Sequence, residues 1–270
     1  MKVAVCYSGM FRNFNETIEN HMEHLYSKYD CDIYFSFWDV YGDGGFTSKY
    51  TLDKRTTWDF KTDKFYETEV SNDKISQSDI DDVIKRLNPV RYEFQDFSKF
   101  GPLFNSKSEL LDHVYGEVHD WLPHLPNIMS MYYKIYRCNY LVKYSGREYD
   151  CVLRMRSDLM FHDFGLELLK PEPNTININS WGSFRESYQD MLIHGDMIGM
   201  GKLARLYFNL EKIWHESGRK SANEKVLHYY LNEICDANIN TDSSIEFYKV
   251  NRGNLDSMAD HYIPKEIKNL

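Results

Sequence analysis

The sequence predicts an α/β protein with a mostly parallel sheet, and its N-terminal part carries much of that prediction. Residues 2–8 (KVAVCYS) and 31–39 (CDIYFSFWD) are short apolar runs with β-branched and aromatic side chains, which is typical of buried strands. Between them, residues 14–29 repeat apolar side chains such as Ile18 and Met22 at helical spacing. A strand, a helix and a second strand in this order predict a right-handed crossover between parallel strands.

The same alternation continues through the middle of the chain. Segment 78–89 has helical spacing and places Ser78 where an N-cap would stand, and residues 90–95 alternate like a strand. Segment 126–145 predicts a long helix capped by Asn127. Alternating strands and helices favour a parallel sheet with helices packed against it.

The C-terminal part adds further strands and helices. Residues 151–161 (CVLRMRSDLMF), 175–179 (TININ) and 245–253 (IEFYKVNRG) have the composition of strands, and residues 202–216 and 222–236 that of helices.

One region interrupts this alternation. Residues 40–75 are rich in Asp, Gly, Thr and Lys and show no clean period, so they predict a long loop or an insertion, such as an active-site flap. The length of 270 residues suits one domain spanning 1–270, with this insertion and a variable region that extends to about 125.

Charge and cysteine usage narrow the class of protein. The net charge is −9 and no basic run stands out, which argues against a nucleic-acid groove. The five cysteines include no CxxC pair, which is typical of free thiols in a reducing compartment. The N-terminus does not resemble a signal peptide, and no stretch approaches the roughly 20 apolar residues of a membrane span. We therefore expect a cytoplasmic protein that does not bind nucleic acid and has no membrane-spanning segment.

Charged side chains stand at the end of the apolar run 151–161. Arg154, Arg156 and Asp158 lie in or just beyond a predicted core strand, where a charge is costly unless it is paired or used. In open α/β sheets, ligands bind beyond the carboxyl ends of the strands. These residues therefore indicate a binding site, although the arginines could instead face solvent and Asp158 could cap a turn.

Polar residues also follow the first two predicted strands. Gly9 and Arg12 come directly after the first, and Asp39 ends the second, where it could also cap the following turn. Arginine suits a diphosphate through bidentate hydrogen bonds, and an aspartate beside phosphates suits Mg²⁺ or Mn²⁺. Three strand ends with such residues indicate a nucleotide pocket.

Five segments together resemble a known family. They are VAVCYSGMFRNF, IYFSFWD, PNIMSMYYKIYRCN, YDCVLRMRSDLMF and GDMIGMG. They are similar to a family of glycosyltransferases with a GT-A-like (Rossmann-like) fold, which occurs in large viruses, phages and bacterial surface-polysaccharide loci. The resemblance extends over roughly residues 3–39 and 126–253 and leaves about 43–115 unmatched.

The resemblance implies the parts of a glycosyltransferase site. It assigns nucleotide-sugar binding to Ser8, Gly9, Arg12, Asp39, Arg154, Arg156 and Asp158, and catalytic positions to Asp196 and Glu224. It also implies a Mn²⁺ or Mg²⁺ ion at Asp158. The usual acidic motif of GT-A enzymes has two aspartates one residue apart, but here Arg156 stands two before Asp158, and a lone carboxylate binds a divalent ion weakly. Either a residue such as Asp163 shares the metal, or arginines hold the diphosphate in its place.

The implied reaction moves a sugar from a nucleotide-sugar donor to a glycan or glycoprotein acceptor. It displaces a nucleoside diphosphate at an anomeric carbon, so it needs positive charge for the leaving group and, if inverting, a carboxylate base. Asp196 is the first candidate for that base, because Gly195 and Gly199 beside it let a backbone approach closely. Glu224 is the second, although an acid in a first helical turn also stabilises the helix by itself.

Two other functions compete with transfer. The missing second aspartate permits a non-catalytic nucleotide- or glycan-binding protein of the same fold. A nucleotidyltransferase is disfavoured, because SGMFRN replaces the glycine-rich basic loop expected after the first strand. No GxxxxGK[ST] and no GxSxG motif occurs, which argues against P-loop enzymes and α/β-hydrolases.

Overall fold

The protein is a mixed α/β molecule with a seven-stranded, mostly parallel sheet flanked by helices. This confirms the predicted fold class. The computed structural model describes residues 1–12, 14–42, 54–59, 64–69, 73–100, 125–161, 170–179, 188–217, 223–242 and 247–249. None of the helices within these ranges is both long and apolar enough to cross a membrane.

Strands and helices alternate from residue 2 to residue 38 and from residue 77 to residue 155, and runs of strands or of helices occur elsewhere. The strands are β1 (Lys2–Gly9), β2 (Asp30–Trp38), β3 (Lys54–Asp59), β4 (Lys64–Glu69), β5 (Arg91–Gln95), β6 (Cys151–Met155), β7 (Leu159–Phe161), β8 (Thr175–Asn179), β9 (Leu192–Gly195), β10 (Asn238–Asp242) and β11 (Phe247–Lys249). The helices are α1 (Phe14–His21), which continues as a π-helix over Met22–Tyr26, α2 (Gln77–Leu87), α3 (Leu125–Lys143), α4 (Met197–Ala204), α5 (Leu206–Ser217) and α6 (Asn223–Tyr229), which continues as a π-helix over Tyr230–Ile234.

The main sheet has the order β10-β8-β9-β6-β1-β2-β5. Strand β9 runs antiparallel to both of its neighbours, β6 and β8, whereas the other pairs are parallel. The carboxyl ends of six strands therefore meet at one edge of the sheet, which we call the carboxyl edge. The amino end of β9 lies at that same edge, because its direction is reversed.

Helices cover both faces of the sheet, and successive residues of β1 point to opposite faces. Val3, Val5 and Tyr7 pack with residues of α1 and α2, while Ala4 and Cys6 pack with residues of α3 to α6. A strand buried on both faces reads as a continuous apolar run, which explains why β1 was predicted from its composition.

Two helix starts differ from the sequence-based expectation. Ser76, not Ser78, caps α2, because its side chain accepts a hydrogen bond from the Asp79 backbone N–H at 3.1 Å. Asn127 lies inside α3, which already begins at Leu125, so it does not cap that helix. Both errors come from placing the helix start by a residue type that is common near caps.

The segment predicted as a loop or insertion contains regular structure. Strands β3 and β4 pair antiparallel there, from Lys54 opposite Glu69 to Asp59 opposite Lys64. Strand β10 was also not predicted, because its sequence NINTD is polar and the strand lies at the edge of the sheet, with Asn238 and Asn240 exposed. The single-domain organisation stays a prediction.

Candidate functional site

Two chain segments meet at the carboxyl edge, one after β1 and one after β6. Strand β1 ends at Gly9, whose φ of +118° is rarely adopted by other residues. The Ser157 hydroxyl lies 3.2 Å from the carbonyl oxygen of Met10 and 2.9 Å from that of Phe11. This contact joins the segment after β1 to the segment after β6.

Helix α1 fixes the segment after β6 from the other side. The Thr17 hydroxyl donates a hydrogen bond to the Ser157 carbonyl at 2.5 Å. Asn20 exchanges two hydrogen bonds with the backbone of Phe161, at 2.8 and 2.7 Å. Polar side chains on a buried helix face thus satisfy backbone groups that the break between β6 and β7 leaves unpaired.

His21 completes this support from α1. Its Nε2 lies 2.6 Å from the carbonyl oxygen of Leu159, so Nε2 carries the proton and donates it. Its Nδ1 then accepts a hydrogen bond from the Tyr7 hydroxyl at 3.0 Å. Burial lowers the pKa of His21 to about 4, although the Leu159 carbonyl acts against this shift. The ring is therefore neutral at pH 7 and serves as a fixed polar link.

Asp158 lies at the centre of the resulting surface and is almost fully buried. Arg156 holds both of its carboxylate oxygens, with Nε to Oδ1 at 2.9 Å and Nη2 to Oδ2 at 2.5 Å. Arg12 approaches the same carboxylate from the segment after β1, with Nη1 to Oδ2 at 3.6 Å. Asp158 is thus a buried counter-ion that holds two arginines from two strand ends.

A divalent metal ion at Asp158 fits these contacts poorly. Both carboxylate oxygens already accept hydrogen bonds from Arg156, and a guanidinium beside them repels a cation. Within the ranges that the structure describes, no group of three or more His, Cys, Asp or Glu side chains could hold a metal ion. Asp163, the predicted second ligand, lies outside the described residues. The arginine alternative left open by the sequence fits this site better.

Arg154 is a deeply buried charge of the site, with 2% of its surface exposed. Its Nε donates a hydrogen bond to the Ser8 hydroxyl at 3.2 Å, which places the predicted residue Ser8 in the site. Its Nη1 has no hydrogen-bond partner among the described residues. Burial lowers the pKa of Arg154, and the nearby charge of Asp190 opposes that effect. A buried guanidinium nitrogen without a partner is costly and therefore indicates a missing anionic or hydrogen-bond-accepting group.

A pair of carboxyl groups faces these arginines, and sequence reasoning found only one of them. Glu224 begins the first turn of α6, and Asp190 precedes β9. Burial raises the pKa of Glu224, the charge of Asp190 raises it further, and Arg156 lowers it. Asp190 was missed because site residues were sought after strands, whereas this one comes before a reversed strand.

The register of β9 explains how Asp190 reaches the site. Leu192 pairs with Met155 at the end of β6, and the Arg156 N–H donates to the Met191 carbonyl at 3.1 Å. Residues just before Leu192 therefore lie at the carboxyl edge. The signal in the sequence is an acid directly before the apolar run MLI, but its meaning depends on strand direction.

Asp196 lies at the opposite edge of the sheet. It follows Gly195, which pairs with Val152 near the start of β6. Its Oδ1 accepts hydrogen bonds from the N–H groups of Thr175 and Gly199, both at 2.9 Å, and its Oδ2 accepts one from Ile198 at 3.2 Å. These contacts make Asp196 the N-cap of α4, away from the arginines, and they do not favour its predicted role as the catalytic base.

The glycines beside Asp196 do admit a backbone, as predicted, but it belongs to the protein itself. A Cβ atom on Gly195 or on Gly199 would collide with the carbonyl oxygen of Thr175 at the start of β8. The glycines therefore allow α4 and β9 to pack closely on β8. They do not form a surface for a ligand.

Asp39 stands at the carboxyl edge, but local contacts occupy both of its oxygens. Its Oδ1 accepts a hydrogen bond from the Phe97 N–H at 2.9 Å, and its Oδ2 pairs with Lys74 at 2.8 Å. Asp39 therefore ties the end of β2 to the chain segments around it. The sequence left open a cap of the following turn, whereas these side-chain contacts join Asp39 to residues distant in the chain.

Tyr132 of α3 forms a further wall of the site. Its hydroxyl donates a hydrogen bond to the Asn223 carbonyl at 3.0 Å, directly before Glu224. Burial raises the pKa of Tyr132, and the charges of Asp190 and Glu224 raise it further. The hydroxyl therefore stays protonated near the two carboxyl groups.

The site thus combines a cationic part and an acidic part. Arg12, Arg154 and Arg156 supply positive charge, and Asp190 and Glu224 supply carboxyl groups close to it. This arrangement can bind an anionic group and, beside it, take up a proton.

The chain is similar to several solved structures at low identity. One is apo-form glycosyltransferase GlyE of Streptococcus pneumoniae TIGR4, with a TM-score of 0.43 and 10% identity over 88% of this chain and 44% of that chain. A second GlyE structure gives a TM-score of 0.40 and 11% identity over 90% of this chain and 46% of that chain. The apo form of mouse xyloside xylosyltransferase 1 gives a TM-score of 0.41 and 7% identity over 90% of this chain and 85% of that chain.

The chain spans less than half the length of the two GlyE chains. No protein-family model matches the sequence, and no curated protein matches it. The TM-scores are below 0.5, so these likenesses carry no inference about the function of this chain.

Proposed function

We propose that the protein is a nucleotide-sugar-dependent glycosyltransferase whose arginines bind the diphosphate of the donor. The observation that carries the proposal is the buried Nη1 of Arg154, which has no hydrogen-bond partner among the described residues. Arg154 is the second-last residue of β6, so it lies near the carboxyl edge, where α/β sheets bind ligands. The resemblance of the sequence motifs to a glycosyltransferase family supports the same function.

The charges of the site suit a diphosphate. Arg12 and Arg156 are both held on Asp158, so this single carboxylate cannot neutralise them together. Arg154 adds a third positive charge, and its hydrogen-bond partner among the described residues is the neutral Ser8 hydroxyl. A diphosphate would accept hydrogen bonds from the guanidinium groups, and such charge-assisted bonds are roughly twice as strong as neutral ones.

The reaction then follows from this arrangement. A bond forms between an acceptor oxygen and the anomeric carbon, while the bond from that carbon to the diphosphate breaks and the electron pair leaves with the diphosphate. The arginines stabilise the negative charge that develops on the leaving group. Glu224 takes the proton of the acceptor hydroxyl, because a raised pKa makes a carboxylate a better proton acceptor.

The acceptor in this proposal is a glycan or a glycoprotein. The predicted Mn²⁺ or Mg²⁺ stays a prediction, and so do the compartment and the viral or bacterial setting. The contacts of Asp158 favour binding of the diphosphate without a metal ion, which a chelator tests directly.

A two-stage experiment tests the proposal. Thermal unfolding is measured with UDP, GDP, CDP and dTDP, each with Mn²⁺, Mg²⁺ or EDTA. A ligand at 100 times its Kd adds about 2.7 kcal/mol to the free energy of unfolding. Sugars carried by the nucleotide that binds are then assayed for release of the nucleoside diphosphate. We expect one nucleotide to bind in EDTA and one of its sugars to turn over.

Other outcomes are equally informative. Binding that requires a metal ion would contradict binding of the diphosphate by the arginines alone and would support the predicted metal site. Failure of all four nucleotides to bind would contradict the proposed function.

A second candidate is a non-catalytic nucleotide- or glycan-binding protein. It is favoured by the fact that Arg156 occupies the position of the first aspartate in the acidic motif that is usual in GT-A enzymes. Nucleotide binding without turnover of any corresponding sugar would support this candidate.

A further inference from the structure

Asp190 lies beside Glu224 because backbone hydrogen bonds hold residues 188–191 between α6 and β6. At one end, the Tyr188 N–H donates to the Glu224 carbonyl at 3.1 Å. At the other end, the Met191 carbonyl accepts from the Arg156 N–H, also at 3.1 Å. Asp190 lies between these two attachments and is 5% exposed. The strand end and the helix start therefore set its place together.

Charged and titratable groups from three further elements face Asp190. Its charge acts on Tyr132 of α3, on Arg154 and Arg156 of β6 and the segment after it, and on Glu224 of α6. Two carboxyl groups in such proximity do not ionise independently, since the charge of one disfavours that of the other. Arg156 has the opposite effect on Glu224, because its positive charge lowers the pKa of that carboxyl group.

We propose that Asp190 is a positioning residue for proton transfer by Glu224: held beside Glu224 and facing buried Arg154 and partly buried Arg156, it keeps that carboxylate basic enough to deprotonate the acceptor. The inference rests on the proposed function, because it needs Glu224 as the base. Without Asp190, no neighbouring carboxylate would oppose the charge of Arg156, which would make Glu224 a weaker base.

A simpler role for Asp190 is that of a counter-ion for Arg154. That role would affect stability and the binding of anions, but it would leave the titration of Glu224 unchanged. Removing the charge of Asp190 while keeping its shape separates the two roles. Asp190→Asn is the main variant, and Asp190→Glu restores the charge. Glu233→Gln is the matched control, since Glu233 is exposed on the π-helix that continues α6.

The experiment measures Glu224 in two ways. The carboxyl carbon of Glu224 is titrated by NMR in full-length protein labelled with [¹³C]glutamate, and Glu224→Gln assigns its signal. The pH profile of kcat/KM for transfer is measured with the nucleotide sugar that the wild-type protein turns over. In Asp190→Asn we expect the midpoint and the acidic limb to move about one pH unit or more towards lower pH. Asp190→Glu and Glu233→Gln should keep wild-type values.

An unchanged midpoint and an unchanged acidic limb in Asp190→Asn would overturn the inference and leave Asp190 as a counter-ion. If the wild-type protein turns over no nucleotide sugar, the proposed function fails, and the role of Glu224 as base fails with it. The NMR midpoint still decides in that case whether Asp190 acts on Glu224. The two failures are therefore distinguishable.

Discussion

Arg156 binds Asp158 through two parallel hydrogen bonds, from Nε to Oδ1 at 2.9 Å and from Nη2 to Oδ2 at 2.5 Å. The two residues are separated by a single residue, and the pair lies at the break between β6 and β7. A charged pair at this place answers why charges interrupt an apolar run. Asp158 orients Arg12 and Arg156, which in the proposed function bind the diphosphate of the donor.

Replacing Asp158 by Asn should therefore destabilise the protein, because it leaves Arg156 partly buried without its counter-ion. We expect a loss of about 3 kcal/mol in the free energy of unfolding, measured with urea. The loss should be the same in EDTA and in Mn²⁺. If Mn²⁺ stabilised the wild-type protein but not Asp158→Asn, Asp158 would be a metal ligand after all.

Asp196 provides a test of the reassigned base. Asp196→Ala removes the cap of α4 and should cost about 1 kcal/mol in the free energy of unfolding, while Asp196→Asn should cost less. Neither variant should change the affinity for the nucleoside diphosphate or the rate of transfer measured well below the melting temperature. A folded Asp196→Asn protein without transfer activity would contradict the assignment of Asp196 as a cap alone.

Two glycines of α4 form a matched pair for a packing test. A Cβ on Gly199 would collide with the Thr175 carbonyl oxygen, whereas a Cβ on Gly201 would meet no described atom within 4 Å. Gly199→Ala should therefore destabilise the protein by about 1–3 kcal/mol, and Gly201→Ala should stabilise it by up to about 1 kcal/mol. Chemical unfolding measures both, and equal effects would contradict the described packing of α4 on β8.

His21 should make stability depend on pH. Its pKa is about 4 in the folded protein and near 6.5 when unfolded, so between these values the unfolded chain binds more protons. Stability from this residue is thus present above about pH 6.5 and falls as the pH drops towards 4. His21→Gln keeps a donor for the Leu159 carbonyl without a titrating ring.

The comparison of the two proteins isolates the histidine from the carboxylates, which titrate in both. Between pH 6 and 4.5 the free energy of unfolding should fall more steeply in the wild-type protein, by up to about 1.4 kcal/mol per pH unit. Parallel curves would show that His21 takes up a proton in the folded state.

Local sequence was enough to predict most of the buried strands and most helices, but not the buried strand β9. Runs such as VAVCY are apolar on both faces, and residues 14–29 have a clear helical period, so burial and periodicity coincide there. The predicted residues Ser8, Arg12, Arg154, Arg156, Asp158 and Glu224 do lie in one region, because parallel strands bring their carboxyl ends together.

Strand direction was beyond local sequence. Strand β9 is antiparallel because of the strands it pairs with, and four residues, LIHG, carry no sign of direction. Asp196 was expected in the site because of the family resemblance and the glycines beside it, and Asp190 was overlooked because β9 was not predicted as a strand. The predicted helix cap at Ser78 was wrong for a related reason. Ser76 and Ser78 are chemically equivalent, and only the backbone geometry distinguishes them.

The buried guanidinium of Arg154 is the centre of this account, and nucleotide affinity tests it most directly. The Kd of the nucleoside diphosphate that binds is measured by calorimetry in EDTA for the wild-type protein, Arg154→Lys, Arg154→Met and the exposed control Arg91→Met. The account predicts that Arg154→Met weakens binding at least tenfold, about 1.4 kcal/mol, that Arg154→Lys lies between, and that Arg91→Met binds like the wild-type protein. Unchanged affinity in a folded Arg154→Met protein would contradict it.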